Sequence, residues 1–293
     1  MIRPVIGIIG GTGFAEALTE QTEGKTVHVD TPFGPPSSPV LTTQWNGLDI
    51  AYISRHGDGH VHPPSAVPYR ANIFALKTLG VTHILASGAV GSLSEDIAPR
   101  DLVVVDQVID KTYRRVGTFF EDGIAVHVEF SNPFCGDLRR RLLDAAGAIG
   151  ANVHDGGTYV CMEGPAFSTK AESHTHRGWN GHLIGMTCMP EAKLAREAEI
   201  CYALVALVTD YDCWRPHQPG LTTESLLSEI VGHLQSATEN AIALIRATVE
   251  RMSAAPPGRS PIHDGLKLAI WSDKSKVDPA VVNDLKPILG KYF

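Results

Sequence analysis

The most constraining feature of this sequence is a repeated pattern, in which a short apolar run stops at a cluster of small or acidic residues. The first run is Val5–Ile9, which is rich in β-branched residues and ends at Gly10-Gly11-Thr12-Gly13. The last is Cys201–Val208, an unbroken apolar run typical of a strand buried on both faces. Segments with helical spacing, such as Val67–Leu79, lie between such runs. This alternation predicts an α/β fold with a central mixed, mostly parallel sheet flanked by helices.

One long amphipathic helix and a break after it define the domain organisation. Apolar positions with one core-facing stripe predict a helix from Thr223 to Met252. The following Ala254-Ala255-Pro256-Pro257-Gly258 ends it. We therefore expect one domain over residues 1–253 and a C-terminal tail over residues 254–293. The tail has too few apolar residues for its own core, so it packs on the body or on a neighbouring subunit.

Charge and composition narrow the class of protein. The 293 residues carry 25 Lys+Arg against 32 Asp+Glu, a net charge of −7, so nucleic acid is not an expected partner. No apolar stretch is long enough to cross a membrane, and the start lacks the layout of a signal peptide. The five cysteines are never spaced C-x-x-C, and we interpret them as reduced core thiols. We expect a cytoplasmic protein.

Two loops that follow early strands are candidates for anion binding. Gly10-Gly11-Thr12-Gly13 offers several backbone N–H groups and a hydroxyl, but it matches neither a P-loop nor G-x-G-x-x-G. A plain structural turn remains the alternative. The second loop begins Ser54-Arg55-His56, and its guanidinium and imidazole suit a phosphate. His56, His60 and His62 also form a metal-ligand pattern, as in some zinc hydrolases, and an ordinary polar loop is the third alternative.

Three further loops follow strand-like runs, and each is a weak signal alone. They are Ala86–Leu93, Met162–Ser168 and Gly185–Thr187. Ligands of open α/β sheets bind at the carboxyl ends of strands, so the three loops together indicate a ligand site more strongly than any one of them alone.

The segment Thr209–Trp214 places two carboxylates, Asp210 and Asp212, at the end of the last buried strand. A desolvated aspartate keeps its proton more readily, so one of the pair suits the role of general acid near neutral pH. Helix capping or a salt bridge is the alternative.

Several of these segments together resemble the 5′-methylthioadenosine phosphorylases of the trimeric purine nucleoside phosphorylase superfamily. The matching segments run in order from about residue 5 to about residue 250, and they are Gly10-Gly11-Thr12-Gly13, Asp30-Thr31-Pro32-Phe33-Gly34, Ala51 to His56, Tyr69-Arg70-Ala71-Asn72, Glu163-Gly164-Pro165, Met186-Thr187 and Thr209-Asp210-Tyr211-Asp212-Cys213-Trp214. The resemblance implies a single-domain nucleoside phosphorylase fold. It also implies the phosphorolysis of 5′-methylthioadenosine to adenine and 5-methylthioribose 1-phosphate.

The same resemblance implies roles for individual residues, without a metal or an organic cofactor. Phosphate, a co-substrate, would be held by Thr12, Arg55, His56, Gly88, Ala89 and Thr187. Met186 would contact the ribose, Phe167 and Ser168 the base, and Asp210 and Asp212 the purine edge, with Asp210 as the catalytic acid. Ser168 and Thr223 occupy positions that set specificity, and His127 matches a residue contributed across the interface of a homotrimer.

One departure from the family pattern concerns the phosphate contacts. Relatives often have two threonines where this chain has Ser87-Gly88, so one expected hydroxyl is missing. Three rival functions remain open at this stage. They are a phosphorylase of 5′-methylthioinosine or another 6-oxopurine nucleoside, a metallohydrolase that uses His56, His60 and His62, and a non-catalytic nucleotide-binding module.

Overall fold

A single large mixed sheet organises the protein. The computed structural model describes residues 5–11, 14, 24–215 and 222–293. In this part of the chain the strands are β1 Val5–Gly10, β2 Lys25–Val27, β3 Val40–Trp45, β4 Leu48–Ser54, β5 Val81–Ser92, β6 Leu102–Val104, β7 Gln107–Lys111, β8 Val153–Asp155, β9 Thr158–Met162, β10 Leu183–Gly185 and β11 Cys201–Asp210.

The order of the strands brings the carboxyl ends of β1, β4, β5 and β11 to one edge of the sheet. The main path is β2-β3-β4-β1-β5-β10-β9-β7, and β11 pairs with β5. Because β1 runs parallel to both β4 and β5, and β11 also runs parallel to β5, these four strands end on the same side. The mixed, mostly parallel sheet predicted from the sequence is therefore confirmed.

Helices cover both faces of the sheet. Their bounds in the described residues are α1 Tyr69–Thr78, α2 Gly136–Ala146, α3 Lys170–Gly178, α4 Glu191–Glu197, α5 Thr223–Ala254, α6 Pro279–Asp284 and α7 Lys286–Leu289. Local signals fix some of their ends. Thr169 and Glu172 form a capping box at the start of α3, and the Thr222 hydroxyl accepts from the backbone of Ser225 at the start of α5.

The C-terminal tail packs against its own chain. Leu266, Ile288 and Leu289 from the tail belong to the same apolar cluster as the core residues on the α1 side of the sheet. Glu199 anchors this arrangement, since it accepts a hydrogen bond from the backbone N–H of Leu266 and forms an ion pair with Lys291. The tail therefore closes over the edge of the sheet opposite the predicted loops.

The five cysteines are free thiols, and four of them are buried. Among the described helices, none is long and apolar enough to cross a membrane.

Candidate active site

The phosphate end of the candidate site is built around a buried arginine. Arg55 follows β4 directly and is 1% exposed. Its Nε and Nη2 donate to the two carboxylate oxygens of Glu191, each at 2.8 Å, and its Nη1 donates to the carbonyl of Ser87 at 2.7 Å. The hydroxyl of Tyr202 also donates to Glu191, at 2.8 Å. Within the part of the chain that the structure describes, these bonds use three of the five guanidinium N–H groups and leave two for a ligand.

The ring of His56 is oriented by a hydrogen bond to the backbone carbonyl of another histidine, His62. Its Nδ1 lies 2.8 Å from the carbonyl of His62, and because that oxygen only accepts, Nδ1 carries the ring proton. Burial, together with the nearby Arg55 charge, lowers the pKa of His56 to about 4. The neutral ring therefore presents Nε2 as a hydrogen-bond acceptor. Hydrogen phosphate suits that acceptor, because it retains one P–OH group.

A glycine allows the chain to turn immediately after Arg55 and His56. Gly57 has a φ of 74°, and a Cβ there would lie 2.8 Å from the carbonyl oxygen of Ser37. Only glycine accommodates both the left-handed backbone and the close approach.

Gly88 and Thr187 come together beside Arg55. A Cβ built on Gly88 would lie 3.1 Å from Oγ1 of Thr187. The space of the missing hydroxyl at residue 88 is thus next to another hydroxyl, that of Thr187. Ala89, the next residue of β5, is exposed.

A second buried arginine holds the loops on the sugar side. Arg115 donates from Nε to Glu163 at 3.2 Å and from Nη1 to the carbonyl of Met186 at 2.5 Å. Glu163 also accepts from the backbone N–H of Tyr113 at 2.8 Å. Gly164, at φ 69°, lies so close to Met186 that a Cβ would be 2.5 Å from its sulfur. Arg115 therefore fixes the position of Met186 relative to the Glu163 loop.

This arrangement predicts a pH dependence of stability. Burial opposes ionisation of Glu163, but the hydrogen bonds donated by Tyr113, Ser65 and Arg115 outweigh it and lower its pKa to about 2. A carboxyl group with a lowered pKa stabilises the fold fully above its unfolded pKa near 4.5, and that contribution is lost as pH falls towards 2. We expect Glu163→Gln to lower the free energy of unfolding at pH 7 and to flatten its decline between pH 5 and pH 2. Urea unfolding at a series of pH values measures both effects, and parallel curves for both proteins would contradict the assignment.

The base end of the candidate site holds the two aspartates. β11 shifts register against β5 after Val208, and this places Asp210 opposite Gly91. Asp210 accepts from the hydroxyl of Thr209 at 2.7 Å and from the backbone N–H of Asp212 at 2.6 Å. A Cβ on Gly91 would lie 3.1 Å from Asp210 Oδ1, so glycine lets the carboxylate approach the strand.

Asp212 differs from Asp210 in its surroundings. It adopts a positive φ of 49°, and its Oδ2 is buried without a hydrogen-bond partner among the described residues. Burial raises the pKa of Asp212, and the negative charge of Asp210 acts in the same direction. Of the two aspartates, Asp212 is therefore the one whose pKa burial raises.

The loop around Ser168 joins this end. The Cys213 thiol donates to the carbonyl of Ser168 at 3.2 Å, which ties it to the aspartate segment. Phe167, by contrast, is 85% exposed. His127 is also exposed, on another loop, where its ring meets the edge of Trp271 at a centroid distance of 4.7 Å.

For two of the predicted residues the structure describes no side chain. Thr12 lies outside the described residues, and for Thr223 only the backbone at the start of α5 is described.

The histidines of the metallohydrolase hypothesis do not form a metal cluster. His56 and His60 stack face to face with ring centroids 4.1 Å apart, and His56 is bonded to the carbonyl of His62 rather than to its ring. Within the described ranges, the group whose donor atoms converge is a different one, formed by His83, Cys201 and His263.

Sequence reasoning missed Glu191 and Arg115. Glu191 begins a short helix and resembles an ordinary acidic residue of a first helical turn. Its partner Arg55 is 136 residues away, so no local pattern links the two. Arg115 lies in an irregular segment between β7 and α2, where nothing in the sequence marks it as buried.

Comparisons with known proteins give a consistent result. Residues 5–250 match the model of the phosphorylase superfamily. The chain is 46% identical to the S-methyl-5′-thioadenosine phosphorylase of Synechocystis sp. over 298 residues, covering all of this chain and 89% of the relative. It is 48% identical to the protein of that name from Thermosynechococcus vestitus over 293 residues, covering 98% of this chain and 99% of the relative.

Solved structures agree with these sequence matches. A methylthioadenosine phosphorylase from an antarctic soil metagenomic library superimposes with a TM-score of 0.89 at 42% identity, covering 98% of this chain and 99% of that one. The methylthioadenosine phosphorylase of Schistosoma mansoni in complex with tubercidin gives 0.80 at 34% identity, covering 91% of this chain and 97% of that one.

Proposed function

This chain belongs to the phosphorylase superfamily, and we propose that within it the protein catalyses the phosphorolysis of S-methyl-5′-thioadenosine. The products are adenine and 5-methylthioribose 1-phosphate. The proposal depends on one observation. A basic group for phosphate and an acidic group for the base lie along the same strand, β5. Ser87, bonded to Arg55, and Gly91, beside Asp210, are four residues apart on β5, roughly 13 Å at about 3.3 Å per residue.

Cleavage of the N-glycosidic bond explains why both ends are needed. As the bond breaks, positive charge develops on the ribosyl carbon and negative charge on the departing purine. A phosphate held by Arg55, His56 and Thr187 beneath the sugar offsets the first charge and is aligned to attack that carbon. Thr12 and the Gly88-Ala89 backbone complete the phosphate contacts in this proposal.

The aspartate pair acts on the leaving base. A protonated Asp210 donates to N7 of adenine, and its other oxygen accepts from the 6-amino group. Burial and the charge of Asp210 raise the pKa of Asp212, so this end of the site favours the protonated form of that carboxyl group. Met186 lies against the ribose, Phe167 and Ser168 border the base, and Thr223 contributes to specificity in this proposal.

The proposal extends to the assembly and the location. A homotrimer would place His127 of a neighbouring subunit at the 5′ end of the nucleoside. Its exposed position beside Trp271, itself 73% exposed, supports a contact with another molecule there. The free cysteines support a cytoplasmic location.

Adenine release from methylthioadenosine, measured with and without phosphate, tests the function. We expect release only with phosphate, and formation of the sugar 1-phosphate in equal amount. Because the reaction uses no metal or organic cofactor in this proposal, a chelator added during the assay should leave the initial rate unchanged. Release without phosphate would indicate a hydrolase and overturn the proposal.

A further inference from the structure

Far from the candidate active site, four metal-ligating side chains meet at the opposite edge of the sheet. We call them the Cys–His cluster, and its members are His83, Cys135, Cys201 and His263. His83 and Cys201 are registered partners near the starts of β5 and β11, so both side chains lie on the same face. Ser87 and Gly91 lie four and eight residues further along β5, roughly 13 to 26 Å away at about 3.3 Å per residue.

Three donor atoms of the cluster are close enough to share one ion. One donor atom each from His83, Cys201 and His263 lie within 4.8 Å of one another. Nε2 of His263 is 3.5 Å from the sulfur of Cys201. On a tetrahedral zinc with Zn–N of about 2.1 Å and Zn–S of about 2.3 Å, nitrogen and sulfur are separated by roughly the same distance.

A fourth candidate donor lies beside this group of three. Cys135, the residue before α2, interacts directly with Cys201 through its thiol. Both thiols and His83 line a cavity of about 610 Å³. The cavity provides an entry path for an ion, and the four side chains give the two-sulfur, two-nitrogen set that zinc prefers.

Neighbouring groups orient the two rings. The Thr82 hydroxyl lies 2.8 Å from Nδ1 of His83, which leaves Nε2 of that ring as the donor atom. Nδ1 of His263 accepts from the backbone N–H of Ser260 at 3.2 Å. Nε2 of His263 lies 3.2 Å from the backbone carbonyl of Thr82. Ligation through Nε2 moves the ring proton to Nδ1, so the ion replaces this contact as well as the one from Ser260.

From this geometry we propose that the Cys–His cluster binds one Zn²⁺ ion. The ion replaces the thiol protons of Cys135 and Cys201, which pass to solvent, and the two thiolates balance its charge. Since His263 belongs to the C-terminal tail and the other three ligands to the body, the ion fastens the tail to the sheet. Its role is structural, because the cluster lies outside the site of phosphorolysis.

Elemental analysis of the full-length protein tests the proposal directly. We expect zinc in a one-to-one ratio after expression in zinc-supplemented medium and purification without chelator. Cobalt substitution should give the absorption of thiolate-bound tetrahedral Co²⁺. Magnesium in excess should not displace either ion, because Mg²⁺ prefers oxygen ligands.

Matched variants distinguish zinc bound at the Cys–His cluster from zinc bound nonspecifically elsewhere. Cys201→Ser and His263→Gln should lower zinc content at least about tenfold. Their controls, Cys161→Ser and His154→Gln, change a buried cysteine and a histidine elsewhere and should retain zinc. Circular dichroism confirms that each variant is folded. Equal zinc in all folded variants, or a disulfide between Cys135 and Cys201 in the native protein, would overturn the proposal.

A readout independent of metal analysis is the protection of the tail. Removing zinc should speed proteolytic cleavage near residues 255–260, and adding Zn²⁺ should restore protection in the wild type but not in His263→Gln. Cleavage that is indifferent to zinc would contradict the structural role. None of these measurements depends on adenine release, so their outcome is separate from that of the proposed function.

Discussion

Replacing Asp210 by asparagine is expected to lower the rate of adenine release by about 10²-fold or more, the usual scale for one positioned general acid. The amide keeps the size of the side chain and still accepts from the backbone N–H of Asp212. It cannot transfer a proton to N7, so the purine leaves as an anion. The amide can also donate to O6, so the variant should lose less activity on inosine-type nucleosides than on adenine nucleosides.

Steady-state assays with methylthioadenosine and with a 6-oxopurine nucleoside measure both effects. Asp122→Asn is a matched control, because Asp122 is exposed. Asp212→Asn distinguishes the members of the pair, and we expect a smaller loss from it. Unchanged turnover of adenine nucleosides by Asp210→Asn would refute the role of Asp210, whereas a larger loss from Asp212→Asn would move the acid to that residue.

The second large effect is expected at Glu191. Glu191→Gln keeps the shape of the side chain but leaves the buried guanidinium of Arg55 without its counter-charge. Breaking a buried ion pair in this way typically costs about 3–5 kcal/mol of folding stability. We also expect the KM for phosphate to rise by more than the KM for the nucleoside, because Arg55 then lacks the partner that orients it.

Denaturant unfolding and steady-state kinetics test the two parts separately. At a given concentration, phosphate should raise the melting temperature of Glu191→Gln less than that of the wild type, since a more weakly bound ligand stabilises the folded state less. The exposed pair of Arg70 and Glu121 offers a matched control, and Glu121→Gln should change stability by less than about 1 kcal/mol. Equal KM values for phosphate in Glu191→Gln and the wild type would show that Glu191 has no part in positioning Arg55.

The strand and helix pattern was predictable because it depends on local spacing. The apolar run predicted at 201–208 is the buried start of β11, and the helical spacing predicted at 67–79 contains α1. The helix predicted at Thr223–Met252 is observed as Thr223–Ala254. These patterns arise because each element buries one face or both faces, so apolar residues recur along it at a short and regular spacing.

The sequence by itself also determined that Arg55 and Asp210 lie at the ends of buried strands, β4 and β11, which end on the same side of the sheet. The prediction of a loop at Ala86–Leu93 was wrong, because β5 continues to Ser92 and contains Gly88. Thr187 follows β10, which runs antiparallel to β5, so the strand-end argument does not place it.

Only the tertiary structure decided how the charges of the site are balanced. Glu191 pairs with Arg55, and Arg115 with Glu163, across long separations in the chain. Such contacts depend on which elements pack together, and neither hydrophobic spacing nor turn residues predict which elements do so. The convergence of His83, Cys201 and His263 could not be predicted for the same reason, since these residues come together only once the tail has folded back onto the sheet.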